Sequence, residues 1–217
     1  GDDIATNTDD DTYVAWNWLA GNATLGTGDF TQGSIASTCS RNVDAGFSIV
    51  QYEATGSAGT VGHGLSKAPE MIIVKHADQA GTSWIVYHAS NTTAPETDYL
   101  KLNATTATAD DSAQWNDTSP TATLFSLGGD GGDSNNTSGG TTVAYCFHSV
   151  DGFSKVGSYT GNDNADGTFV YTGFRPAWVM IKNTAAAGSW YIYDTTRPPT
   201  ENIMKNNLMA DTTAAQG

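Results

Sequence analysis

Charge is scarce in this sequence. Only 15% of its 217 residues are Asp, Glu, Lys or Arg, and 23 acids stand against 9 bases, giving a formal net charge of -14. A field of that sign repels phosphate, which excludes the usual electrostatic route to nucleic acid or to an anionic membrane. Two cysteines, Cys39 and Cys146, are too few for a disulfide scaffold, and burial as free thiols is the expected state. The four histidines are scattered, which argues against a shared zinc site. No run approaches the roughly 18 apolar residues that a spanning helix needs. The opening, GDDIATNTDDDTY, lacks the basic and apolar regions of a secretory signal and reads as the start of a processed product or of a piece of something longer. The motifs G-x-S-x-G, H-E-x-x-H, C-x-x-C and G-x-x-x-x-G-K-[ST] are missing as well, so the expectation is a protein that is not an enzyme.

What is present is the material of β structure. Hydrophobic residues make up 38% of the chain, enough for a core, and 10% of residues are aromatic. Thr is abundant for exposed strand positions, and Gly and Asn for turns, a mix that suits an extracellular or virion protein. MIIVKH and AWVMIK are short, nearly continuous apolar runs, each followed by a polar turn, and read as central strands. SWIVYH and SWYIYD alternate and pair with those runs as hairpins. FSIVQYE, FSKVGSYT, TFVYTGF, TATLFSL and TVAYCF add further strands. The polar, Gly-rich stretch GGDGGDSNNTSGG reads as a hairpin connection too polar to pack, and residues 201–210 as a short turn of helix at best. The predicted fold class is all-β, built of antiparallel β-sandwich units.

Those units follow from a repeat. The 45 residues from Gly46 lie over those from Gly152 at a spacing of about 106, with a one-residue gap before Pro69 and Pro176. Phe47 then matches Phe153, Trp84 matches Trp190, and Tyr87 matches Tyr193, so these six are predicted structural anchors in the core or at interfaces. DTYVAWNW, before the first block, answers TTVAYCF before the second. The predicted domains are residues 1–45, the closing strand of a preceding unit plus linker; 46–150, a first complete unit; and 151–217, a second, truncated unit. A strand for that last unit has to come from elsewhere, from further sequence, from the opening YVAWNW or from a neighbouring chain.

Many of these stretches together, among them DTYVAWNWLAG, AGFSIVQY, WNDTSPTATLFSLG, VDGFSKVGSYTGN and DGTFVYTGFRPAWVMIK, resemble a domain that recurs in large structural proteins of marine bacteriophages. Proteins of that kind are labelled tail-fibre or other virion proteins, often with a laminin-G-like lectin domain upstream. The resemblance implies a virion component with a β-rich fold, and carries over no catalytic or ligand residues.

The candidate sites are few. GNDNADG places Asn162, Asn164 and Asp166 at alternate positions before Gly167, like the start of a calcium loop, and these three are the candidate metal ligands. Gly173 stands where the closing glutamate belongs, which favours a plain Gly/Asn turn and no cofactor. Asp130 and Asp133 make a weaker oxygen cluster, and the adjacent Asp110 and Asp111 read as solvated charge. His63, in VGHGL, reads as a turn histidine. Trp115 has no counterpart in the second block and is the candidate for stacking on a glycan ring. The triplets at Asn22, Asn91, Asn103, Asn116, Asn135 and Asn136 match the glycosylation sequon and read as surface loops.

The expected function is therefore a non-enzymatic phage structural protein, a β-sandwich module of a tail fibre or other multi-copy appendage or decoration layer. Its partners would be other virion subunits and further copies of itself, by strand exchange, with contact to a host surface glycan and no insertion into membrane. The alternative is a carbohydrate-binding adhesin.

Overall fold

A computed structural model describes residues 8–10, 12–21, 24–131, 133, 135–197 and 206–213. The fold is antiparallel and almost entirely β. In chain order the strands are β1 (Thr24–Leu25), β2 (Ser37–Asn42), β3 (Phe47–Glu53), β4 (Gly59–Gly62), β5 (Met71–His76), β6 (Ile85–His88), β7 (Asp98–Lys101) and β8 (Ala109–Asp110). A one-turn helix α1 (Ser112–Trp115) follows, then β9 (Leu124–Leu127), β10 (Thr141–Phe147), β11 (Trp178–Lys182), β12 (Trp190–Asp194) and β13 (Leu208–Met209).

An eight-stranded sheet runs in the order β1-β2-β3-β10-β5-β6-β7-β8. Its alternation sets its two faces, because successive strand residues point to opposite sides. Ile72 and Val74 of β5, Ala144 and Cys146 of β10, and Val50 and Tyr52 of β3 all turn to one side, into the main core. The small β4-β9 sheet closes that core with Val61, Phe125 and Leu127, and α1 adds Trp115. Trp115 meets Tyr87 edge-on at 5.7 Å, and Phe125 meets Tyr52 at 6.3 Å. The opposite face carries Val86 and Leu100, with Met71 and Ile73 beside them. There the three-stranded sheet β11-β12-β13 packs through Trp190 and Met180. Trp190 also donates its indole N–H to the Lys101 carbonyl at 2.8 Å, which pins one sheet on the other.

The β5-β6-β7 and β11-β12-β13 meanders share their local bonds. Lys75 Nζ donates to the Thr82 carbonyl and Lys182 Nζ to the Gly188 carbonyl, each at 2.7 Å. The Trp84 amide is held by Asn103 Oδ1 at 2.9 Å and the Trp190 amide by Asp211 Oδ1 at 2.8 Å. Their surroundings differ. β5 is bonded on both sides, by β10 and β6, whereas β11 among the described residues is bonded to β12 alone.

Several expectations need correction. Residues 153–160 and 168–174 form no strand. In the first block the matching β3 lies between β2 and β10, and no such neighbours flank 153–160. An extended segment without ladder partners gains nothing to offset its ordering. Phe153 is accordingly 59% exposed while Phe47 is buried, so the two are not equivalent anchors. Of the expected turn of helix at 201–210, residues 201–205 lie outside the described residues. Leu208 and Met209 pair as strand with Ile192 and Tyr191. The helix among the described residues, α1, is capped by Asp111, which accepts from the Ala113 amide at 2.9 Å, and ended by left-handed Asn116.

The Gly-rich loop is no hairpin. It leads from β9, which pairs with β4, across to β10 in the large sheet. It also packs: Asn136 and Asn135 are buried. Asn136 Nδ2 donates to the Ser57 and Gly128 carbonyls, both at 2.8 Å, and its Oδ1 accepts from the Thr55 amide at 2.9 Å. Tyr52 Oη donates to the Asn135 carbonyl at 2.7 Å. Glycine is what allows the close approach, since a Cβ on Gly140 would stand 2.6 Å from His76 Nδ1.

Candidate interaction surface

Several polar side chains of the described residues hold the fold together. Asp133 binds the Ser83 amide and hydroxyl and the Lys101 ammonium, all at 2.7 Å. Burial works against the Asp133 charge, but Lys101 and Ser83 outweigh it and hold the carboxyl below its usual range. Asp194 is bound by Arg197 Nε at 2.6 Å and is likewise held low against the cost of burial. Asp111 is a helix cap and Asp110 an edge residue of β8. No group of three or more His, Cys, Asp or Glu among the described residues is arranged to hold a metal ion.

His63 is fully buried, in the irregular stretch just after β4. Its Nδ1 accepts from the Leu65 amide at 3.2 Å, so Nε2 carries the proton and donates to the Thr121 carbonyl at 3.1 Å. Burial is the largest influence on its pKa and, against the Thr121 bond, brings it down to about 4, with His148 adding to the fall. The ring is thus a neutral tie between the end of β4 and the turn before β9.

Cys39 and Cys146 are buried free thiols, Cys39 opposite Val50 and Cys146 opposite Ser48 on the two flanks of β3. Two strand spacings alone set them roughly 9.6 Å apart, and a two-residue stagger along β3 adds to that, beyond the roughly 6.8 Å that a disulfide spans. Burial pushes the Cys39 thiol up to about 11 and raises Cys146 as well.

The candidate ligand residues fare as follows. Asn162, Asn164 and Asp166 are exposed, and Asn162 Oδ1 and Asn164 Oδ1 accept from the Asn164 and Asp166 amides at 3.2 and 3.0 Å. Both oxygens turn back on their own loop as successive Asx turns. Trp115 is 1% exposed and enclosed in the main core, so its ring is not available to stack on a sugar. Trp84 is half-buried and stacks on Tyr145 at 6.5 Å, Tyr193 is half-buried, and Tyr87 and Trp190 are buried. Among the sequons, Asn91, Asn135 and Asn136 are buried, and Asn22 lies outside the described residues.

Large apolar side chains are exposed in two regions. Phe169 and Tyr171 are 86% and 78% exposed, and Tyr159 and Val170 stand out from the same connection between β10 and β11. The outward face of β11 and β12 carries Val179, Ile181, Tyr191 and Tyr193, none of them buried. Their positional counterparts Ile72, Val74, Ile85 and Tyr87 form the main core. Sequence reading missed this surface by assigning 153–160 and 168–174 to strands. The signal was that no partner for them occurs in the second block. An open depression lined by Arg175, Pro176, Ala177 and Thr195 adjoins β11, with one charged side chain in it.

Over residues 1–217 the chain matches, and belongs to, the family described as a domain of unknown function, DUF7483. No curated protein and no solved structure matches it.

Proposed function

We propose that this member of the DUF7483 family is a non-enzymatic structural protein of a phage virion. It is a β-sandwich module of a tail fibre or of another multi-copy appendage or decoration layer, assembled with other virion subunits and with further copies of itself outside the cell. The reading rests on one observation above all. Two meanders with the same internal bonds occur in one chain, one enclosed on both faces and the other left with an open edge and an uncovered apolar face. A tandem repeat of about 106 residues accounts for the shared bonds. The uncovered apolar face is then what such a module offers to its neighbours, since contiguous exposed apolar area marks an interaction site. The polar side chains support the same reading, because Asp133, Asp194 and His63 are committed to bonds within the fold.

Native mass spectrometry together with electron microscopy tests it. Filaments, rings or defined oligomers are expected; a monodisperse monomer at all concentrations overturns it.

A second reading is favoured by the exposed Tyr159, Phe169 and Tyr171: a carbohydrate-binding adhesin that stacks these rings on host glycan. Binding on a glycan array that disappears in the Tyr159→Ala and Tyr171→Ala variants is its expected outcome. An array that stays blank with and without calcium removes it.

A further inference from the structure

We propose that the free edge of β11 is a strand-acceptor site and that its occupant is the chain's own segment 12–18, TYVAWNW. β11 is bonded on one side only among the described residues, whereas β5 carries β10 on the corresponding side. There Phe147 faces Met71 and Ala144 faces Val74. Segment 12–18 has the pattern of β10, TTVAYCF, with Val14 and Ala15 matching Val143 and Ala144, and with aromatic Trp16 and Trp18 at the places of Tyr145 and Phe147.

The segment belongs to no strand, yet it already touches the site. The Trp18 ring lies 5.4 Å from that of Trp178, edge to face. Trp178 begins β11 as Met71 begins β5, so this contact is the counterpart of Phe147 facing Met71. The same register puts Trp16 opposite Met180 and Ala15 opposite Ile181. The indole N–H groups of Trp16 and Trp178 are both buried without an acceptor, as in a seat whose packing is made and whose bonding is not. Ladder formation would give alternate backbone groups of β11 the partners they lack.

The tether decides between this chain and a second copy. Ala20 is buried and Gly21 lies against the Arg41 backbone, two and three residues beyond Trp18. A segment fixed that close to its site has an effective concentration on the order of millimolar, above that of another molecule in dilute solution. The closure is independent of any role in a virion.

Two cysteine pairs in the full chain test it, with oxidised glutathione as oxidant and Cys39 and Cys146 left in place as buried thiols. Ala15→Cys with Ile181→Cys is in register, and Ala15→Cys with Val179→Cys is two residues out. A disulfide within the monomer is expected, at least tenfold more abundant in the first pair than in the second. A disulfide found only between two molecules assigns the strand to a second copy and overturns the closure, as does equal yield in both pairs.

Hydrogen exchange on the unmodified chain provides a readout that needs no cysteine. Val14→Pro and Ala15→Pro are adjacent, so one of them removes an N–H directed at β11. That variant should speed exchange of alternate β11 amides at least tenfold and leave β5 unchanged. Fast exchange at those amides already in the unmodified chain overturns the proposal.

Discussion

Residues 128–140 and residues 153–174 exchange the places their compositions assign them. The first is a run of Gly, Asp, Asn and Ser, yet it brings Asn135 and Asn136 into the interior. The second has Phe153, Tyr159, Phe169 and Tyr171, yet leaves them in solvent. Hydropathy does not separate the two; available partners do. The polar loop finds the Thr55 amide, the Ser57 and Gly128 carbonyls, the Tyr52 hydroxyl and the Lys101 ammonium waiting for it. The Asn136 side chain makes its bonds there, and a buried polar group costs little when its bonds are made. The aromatic segment follows β10, which is already bonded on both sides, so its backbone has no ladder to join.

The largest expected effect is that of pH, acting through His63 in the first block. The folded-state pKa of His63 lies at about 4, below the unfolded value near 6.5. Its contribution is therefore fully present above pH 6.5 and is lost as pH falls from 6.5 towards 4, because the unfolded chain takes up the proton first. The loss should be on the order of 3 kcal/mol, measured by urea unfolding across that range. His63→Gln should flatten that part of the profile, and an unchanged slope would break the assignment.

Next comes Asn136→Ala. It strands three backbone groups in the polar loop and should cost about 2 to 3 kcal/mol, with faster proteolysis at 128–140. Tyr52→Phe removes the bond to the Asn135 carbonyl and should cost about 1 kcal/mol. Phe169→Ser and Tyr171→Ser, at exposed positions, should stay within about 0.5 kcal/mol of the parent in the same assay. Their effect belongs instead to assembly or glycan binding. A loss of 2 kcal/mol or more from either would mean that this segment is packed in solution, and the contrast would fail.

Much of the fold is legible before any coordinates. MIIVKH, FSIVQYE and TTVAYCF become β5, β3 and β10 because alternation and β-branching suit a half-buried strand. The inward Ile85 and Tyr87 and outward Val86 follow from the same period of two. The candidate site was less legible. Trp115 is a large aromatic in a polar neighbourhood, and only the cap at Asp111 and the packing on Tyr87 reveal it as core. FSKVGSYT has the composition of a strand, and local pattern carries no information on whether a neighbouring strand is there to receive it.

By itself, then, the sequence determined the β character, the positions of the main strands and which residues of a strand share a face. These are local properties of alternation, branching and turn residues. Only the tertiary structure decided which apolar segments are enclosed and which polar ones are buried. It left Phe169 outside and Asn136 inside, and it bonded β5 on two edges and β11 on one. Burial and pairing depend on groups distant in sequence arriving together, and hydrogen bonds and excluded water reward only the segments for which they do.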